Sequence, residues 1–287
     1  MRWTAWVIGA WLATMAAAAA QSGQAGADPV VLVRDGEARC AIVVQTDGEP
    51  QLLEAAKLLA DYIHQSTGAE PPVSEQPPGD DSLVQIHIGA TSYVRGLQPA
   101  LPWRDLDEEG FLIAFPQPDR IVLIGGAATG TRFAVCEFLE RYVGVRWLMP
   151  GPFGTHVPQR RTIEVPTENV REEPAFLSRQ LSGLNSPDEK DWSQFARLRG
   201  RIKFHHQLIR LFPPSVYAQT HPEFFPLIDG KRRLPSSDSD YKWQPCFTNP
   251  AVAQEAIHKI CEYFDQHPGA VSYSLGVNDT RTESWCQ

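Results

Sequence analysis

Apolar and polar positions along this chain fall into blocks of changing period, and the changes mark out its elements. Ile42-Val43-Val44 is a short unbroken apolar run, which predicts a buried strand. Leu52, Ala56, Leu59, Ala60 and Ile63 then follow helical spacing, and Gly68 closes that helix. Residues 70–82 are rich in Pro, Gly and Asp and predict a loop. Val84, Ile86 and Ile88 alternate with Gln85 and His87, the mark of a half-buried strand. Residues 111–115 and 120–124 flank Pro116-Gln117-Pro118-Asp119 and predict a hairpin. The second of these runs into a turn with Gly125, Gly126 and Gly130. Val135, Phe138, Leu139 and Tyr142 then recur at i, i+3, i+4 and i+7, one apolar helix face that Gly144 ends. Residues 163–165 form a last short strand. Two helices on a small mixed sheet predict an α/β sandwich over residues 29–166, a normal domain size.

A second pattern follows residues 166–174, which are polar with Pro at both ends. Residues 176–181 predict a strand and residues 192–198 a short helix. Residues 204–211 are apolar around His205 and His206. Asn249 caps a helix with Pro250 at its first position, and Ile257, Ile260, Cys261 and Phe264 give that helix its inner face. Pro268-Gly269 ends it, and residues 270–277 are the next strand. Strand, helix and strand with polar residues at the strand ends is the grammar of a βα barrel. The expected fold class is therefore α/β, a sandwich followed by the first, incomplete part of a (β/α)8 barrel over residues 174–287. A whole barrel takes about 250 residues, so the chain reads as the N-terminal portion of a longer protein. The apolar faces of a partial barrel expect neighbours, and catalysis is expected of the completed barrel only.

The glycine turn after residue 124 invites a phosphate-loop reading, which fails. No Lys-Ser or Lys-Thr follows the glycines, and their spacing is not G-x-G-x-x-G. No cofactor is implied. Composition narrows the partners further. The chain of 287 residues has a net charge of −8 and a pI near 5.5. Its basic runs, Arg197-Leu198-Arg199-Gly200-Arg201 and Lys231-Arg232-Arg233, are short and read as solvated faces, so nucleic acid is not an expected partner. Met1-Arg2 and the apolar stretch to Ala20 read as a secretory signal peptide over residues 1–20, followed by a polar linker over 21–28. A single membrane anchor is the rival reading, but the run is at the low limit for a span. The expected location is periplasmic or extracellular, with no span after cleavage. The five cysteines include no C-x-x-C pair, and an odd count in an exported chain leaves at least one thiol over. Cys136 and Cys261 read as buried small hydrophobes.

Reactive groups of a βα barrel sit at the C-terminal ends of its strands. Arg179 lies near the end of the first predicted strand, His205 and His206 near the second, and Asn278-Asp279 directly after residues 270–277. Asp279 is the candidate catalytic acid or base, since a carboxylate at a barrel mouth can be tuned by its surroundings. Glycoside hydrolysis normally uses two carboxylates. Glu283 is the nearby second, and Asn278-Asp279 could equally be a turn or a cap. His205 and His206 are adjacent, so on a strand they point to opposite faces and cannot share a metal. No metal site is expected from them. His221-Pro222-Glu223-Phe224-Phe225 either presents the His221 ring in a loop or anchors that loop by its phenylalanines. Trp243 and Trp285, in polar stretches, are the candidates for stacking on a sugar, whereas Trp103, Trp147 and Trp192 read as core. Arg179 could grip a carboxylate with its planar fork or form an internal ion pair.

The strand, the Gly-Thr-x-Phe segment Gly130-Thr131-Arg132-Phe133 and the Phe-Leu-rich helix resemble the end of the N-terminal domain of bacterial alpha-glucuronidases and beta-hexosaminidases. The continuation Gly144-Val145-Arg146-Trp147-Leu148-Met149-Pro150-Gly151 is similar to an uncharacterised family of exported bacterial proteins, in which this domain precedes a glycoside-hydrolase-like barrel. The resemblance extends to Thr220-His221-Pro222-Glu223-Phe224-Phe225 and to Ser274-Leu275-Gly276-Val277-Asn278-Asp279. It implies a class and no reaction. The class is an exported carbohydrate-active protein, a glycoside hydrolase or relative acting on polysaccharide-derived sugars, uronic acid-containing ones included. In that family a Cys-x-Cys follows the Asn-Asp segment, and Cys286-Gln287 would begin it. A non-catalytic glycan-binding protein on the same scaffold is the alternative, and a metal site on Cys286 would need ligands this chain does not show.

Overall fold

The structure is a computed structural model that describes residues 28–45 and 49–280. The expected signal peptide and nearly all of the linker, with Glu283, Trp285 and Cys286, lie outside the described residues. The chain divides into two compact units. One runs up to Pro174 and includes Ser186–Ala196. The other comprises Ala175–Asn185 and the residues from Arg197 on. Among the described residues no helix is long and apolar enough to cross a membrane.

The first unit is built on a six-stranded mixed sheet. Its order is Val170–Glu172, Phe111–Gln117, Arg120–Gly125, Val84–Ile88, Cys40–Val44, Val73–Ser74. The four strands from Arg120–Gly125 to Val73–Ser74 are parallel, and the hairpin Phe111–Gln117/Arg120–Gly125 and the edge strand Val170–Glu172 are antiparallel. Val170–Glu172 falls inside the stretch read as an interdomain boundary, so that polar segment completes the sheet. A separate sheet pairs Val30–Arg34 with Ile163–Val165, so the expected last strand leaves the main sheet.

Alternation along the strands sends side chains to two cores. Ile42, Ile86, Ile113, Ile121 and Leu123 pack with the helices Pro50–Thr67 and Ala128–Phe138. Leu112, Val122 and Ile124 pack beneath the short helix Ser92–Gly96 and the turn Trp103–Asp105. With both faces covered, Val84–Ile88 is buried throughout, Gln85 and His87 included, and the half-buried reading of its alternation is corrected. Both helices end as their glycines predict: Gly68 and Gly144 adopt left-handed φ of 77° and 88°.

The glycines after Arg120–Gly125 serve a contact between backbones. A Cβ on Gly125 would lie 2.3 Å from the carbonyl carbon of Gly130, one on Gly126 2.3 Å from the Asp107 carbonyl oxygen, and one on Gly130 2.3 Å from the Gly110 carbonyl oxygen. Strand end, helix start and the preceding loop thus meet with no room for a methyl group. Thr131 locks the corner. Its Oγ1 accepts from the Gly125 N–H at 3.0 Å and donates to the Ala127 carbonyl at 3.2 Å.

The second unit is smaller. Its core gathers Leu208, Phe212, Tyr217, Phe224, Phe225 and Trp243 around Val252 of the helix Pro250–Gln266. Asn249 caps that helix, accepting from the Ala251 N–H at 3.0 Å. The buried face, however, runs through Val252, Ala256 and Ile260, while Ile257, Cys261 and Phe264 are exposed. The helix is turned about one residue from the orientation its apolar pattern suggested, which corrects the buried reading of Cys261. Cys136 is buried as expected.

The expected barrel strands at 176–181, 204–211 and 270–277 do not form; among the described residues these stretches hold isolated bridges only. Residues 176–181 contribute one antiparallel bridge, Arg179 to Arg199, and residues 204–211 one parallel bridge, His206 to Gly276, before turning into the 3-10 helix Leu208–Leu211. Serines account for the missing ladder. The Lys203 N–H donates to Ser272 Oγ at 2.8 Å and the His205 N–H to Ser274 Oγ at 3.0 Å, so hydroxyls take donors that a strand partner would otherwise accept. The expected helix at 192–198 is Pro187–Phe195, which clusters with the first unit. Its start is a capping box: Ser186 Oγ accepts from the Glu189 N–H at 3.3 Å and Glu189 Oε2 from the Ser186 N–H at 2.8 Å.

Two predictions follow from the first unit. Gly130→Ala should cost roughly 1–3 kcal/mol of unfolding free energy in urea, because the methyl group has nowhere to go; an unchanged midpoint would refute the close contact. His87 supplies the second. It is fully buried, with Nδ1 3.0 Å from Thr91 Oγ1 and its ring stacked 4.4 Å from that of Tyr93. Burial first, and then the Arg120 charge, push its pKa from 6.5 down to about 4. An unfolded chain therefore takes up this proton before the folded one does. The stability present above pH 6.5 should fall progressively as pH drops towards 4, by roughly 3 kcal/mol in all. His87→Gln should remove that part of the slope, and identical pH–stability curves for the two proteins would dismiss it.

Candidate functional site

The second unit brings three of the predicted site residues together. Residues 203–206 and 272–276 run side by side, and the bridge of His206 to Gly276 is parallel. The N–H groups of Gln207 and Leu208 both donate to the Gly276 carbonyl, at 3.1 and 3.2 Å. Position 276 must be glycine, since a Cβ there would lie 2.6 Å from the His205 carbonyl oxygen. Just beyond the bridge, His206 Nε2 lies 3.3 Å from Asp279 Oδ2. The other ring nitrogen, Nδ1, faces the Val277 carbonyl. A carbonyl only accepts, so Nδ1 donates there, and Nε2 donates to Asp279 in the doubly protonated imidazolium form of the ring. Both side chains are open to solvent, His206 at 53% and Asp279 at 93%.

A buried clamp that sequence reading missed holds this corner. Gln244 is fully buried. Its Nε2 donates to the Asn278 carbonyl at 2.6 Å and to Thr280 Oγ1 at 3.2 Å, while its Oε1 accepts from the Asn278 N–H at 3.4 Å. Asn278, itself buried, donates from Nδ2 to the Tyr241 carbonyl at 3.0 Å. Asn278 thus fixes the turn that presents Asp279. A lone Gln between Trp243 and Pro245 gave no signal of this, because nothing local to it is periodic or paired.

The remaining candidates are placed otherwise. His205 is exposed, and its backbone N–H and carbonyl both engage Ser274 Oγ. Arg179 sends Nε to the Arg197 carbonyl at 3.0 Å and Nη1 to the Phe176 carbonyl at 2.9 Å. His221 stacks 4.8 Å from Phe224 and meets Glu223 Oε1 at 3.1 Å. Phe224 and Phe225 are buried and anchor the segment, while His221 stays exposed. Trp243 is buried 4.9 Å from Phe225 and donates to the Asp240 carbonyl at 2.8 Å, which leaves no open ring face for a sugar. Trp285 lies outside the described residues. Among the described residues no group of three His, Cys, Asp or Glu is arranged to hold a metal ion.

Residues 149–287, just under half of the chain, match the family model described as a domain of unknown function, DUF4838. No curated protein matches. Several solved structures are similar at low identity. A family GH115 4-O-methyl-alpha-glucuronidase with specificity for decorated arabinogalactans is 14% identical, with a TM-score of 0.39 over 52% of this chain and 19% of its own. The GH20 beta-N-acetylhexosaminidase of Streptomyces coelicolor is 16% identical, with a TM-score of 0.34 over 54% of this chain and 25% of its own. A mutant beta-hexosaminidase of Streptomyces plicatus in complex with its product GlcNAc is 15% identical, with a TM-score of 0.38 over 81% of this chain and 41% of its own. The chain spans less than half the length of each of them.

Proposed function

We propose that this protein is an exported carbohydrate-active protein, a glycoside hydrolase or close relative acting on polysaccharide-derived sugars. The observation that carries the reading is the meeting of His206 and Asp279 immediately past a parallel bridge, 3.3 Å apart and open to solvent. A βα architecture keeps its reacting groups at the C-terminal ends of its parallel strands, and this pair lies just past one parallel bridge. The motif resemblance supplies the substrate class. Export rests on the apolar run up to Ala20, and a disulfide-bonded Cys246 supports an oxidising compartment. In this reading Asp279 gives or takes a proton at the glycosidic oxygen or an attacking water. His206, as the imidazolium, orients that carboxylate by donating from Nε2, and the Gln244–Asn278 clamp holds the backbone beneath it.

One observation favours a second reading. The His206–Asp279 pair is solvent-open and supplies one carboxylate, whereas glycoside hydrolysis normally takes two acids. A glycan-binding protein that uses the same corner without turnover would need only one.

A panel of aryl glycosides separates the two. The full-length protein should hydrolyse at least one, and Asp279→Asn should lower kcat by roughly 10²-fold. The side chain is solvated, so its melting temperature should not move. Glycan binding without hydrolysis would establish the second reading, and hydrolysis that survives Asp279→Asn would return Asp279 to a turn residue. Gln244→Leu tests the clamp. It strands the buried Asn278 backbone groups and should cost roughly 1–3 kcal/mol in urea denaturation; a cost near zero would mean that the clamp is not formed.

A further inference from the structure

The first unit carries a cavity away from the His206–Asp279 corner. It has a volume of about 150 Å³ and lies between the loop after Trp147 and the helix Pro187–Phe195. Trp147, Trp192 and Phe195 form its aromatic walls, Met149 lies at its side, and Asp188 and Asp191 supply two carboxylates. The walls are braced from behind. Trp147 stacks on Phe195 at 4.7 Å and 19°, and the Arg132 guanidinium lies 5.7 Å over the Phe195 ring. The Trp147 indole N–H donates to Tyr62 Oη at 2.8 Å, and that of Trp192 to the Trp147 carbonyl at 2.9 Å.

These bonds decide what the cavity can recognise. Both indole donors are already engaged, and Thr155, also in the lining, donates to the Gly151 carbonyl at 3.3 Å. No Lys, Arg or His lines the space. Its side chains therefore offer aromatic faces, a thioether and two carboxylates, with no spare donor. Asp188 and Asp191 have no hydrogen-bond or ion-pair partner among the described residues, although Asp188 sits in the first turn of a well-capped helix. An electron-rich aromatic face beside unpaired carboxylates attracts a cation that carries its own N–H or C–H donors. The same set repels an anion, and a neutral hydroxyl that donates to the carboxylates brings no charge to meet theirs. A cavity of this volume takes about one six-membered ring.

We propose that this cavity binds a small organic ammonium ion about one ring in size, its charge against Asp188 and Asp191 and its apolar edge on Trp192. The site belongs to the first unit alone and does not depend on the reading given to Asp279.

Three hexopyranoses of equal size and different charge test it: glucosamine, protonated at pH 6, glucose and glucuronate. Binding is read by tryptophan fluorescence and by calorimetry on the full-length protein. Glucosamine should bind at least 10-fold more tightly than glucose, and glucuronate should not bind. Asp188→Asn with Asp191→Asn should remove at least 10-fold of the glucosamine affinity while the melting curve stays close to that of the wild type, since both side chains are exposed. Trp192→Ala should weaken binding as well, and Trp192→Phe should restore part of it. Equal affinity for glucose and glucosamine would replace the ammonium site by simple ring stacking. No binding of glucosamine, or binding unchanged in the double Asn variant, would overturn the proposal outright. None of these outcomes bears on hydrolysis at Asp279, whose failure would be seen separately in the glycoside panel.

Discussion

The first unit depends on a contact between bare backbones. Gly125, Gly126 and Gly130 bring the end of the central strand, the start of the helix Ala128–Phe138 and the loop at residues 107–110 closer than any side chain would allow. That approach lets the helix lie flat on the sheet, where Phe133, Val135 and Phe138 are buried against Ile86, Ile121 and Leu123. Because the helix is docked at its start, its end is also placed. The left-handed Gly144 turns the chain back, and Trp147 enters the core where Tyr62 can receive its N–H. The aromatic cavity is thus the far end of a chain of packing that begins at a glycine corner.

The second unit relies on polar groups that reach backbone. Ser272 and Ser274 take the N–H groups of Lys203 and His205, so a single bridge at Gly276 aligns two segments that lack a full ladder. Gln244 does the same for the next turn by clasping Asn278 from both sides. Buried amides of this kind are costly when unpaired, so each one tolerates few alternative positions for its partner. Asp279 needs no burial of its own to be well placed, because the residue before it is held.

The sequence was most legible where local signals and packing agree. The helix Pro50–Thr67 and its Gly68 stop, the hairpin Phe111–Gln117/Arg120–Gly125 and the Asn249-capped helix are all set by apolar periodicity and by residues that act within a turn or two. It was least legible where a pattern was right and its partner unknown. Val84–Ile88 alternates like a surface strand, yet Tyr93 and its short helix cover the polar side and bury His87. The helix Pro250–Gln266 has two adjacent apolar stripes, and periodicity alone does not say which one meets Phe212 and Tyr217. Trp243 stands among polar residues and is nevertheless core, whereas Trp192, on a helix read from its apolar end, lines a cavity.

By itself the sequence determined the elements that close on themselves: helix starts and stops, the tight hairpin, the need for glycine after the strand, and the residues Asn278-Asp279 after an apolar segment. These follow from backbone sterics and from side chains acting within a few positions of one another. Tertiary structure alone decided the pairings across long separations. It set His206 beside Asp279, Gln244 beneath Asn278, and Asp188, Asp191 and Trp192 beside Trp147. Such contacts leave no local pattern, because each partner satisfies its own segment equally well with or without the other. Only the packing of whole elements brings their polar and aromatic groups within reach.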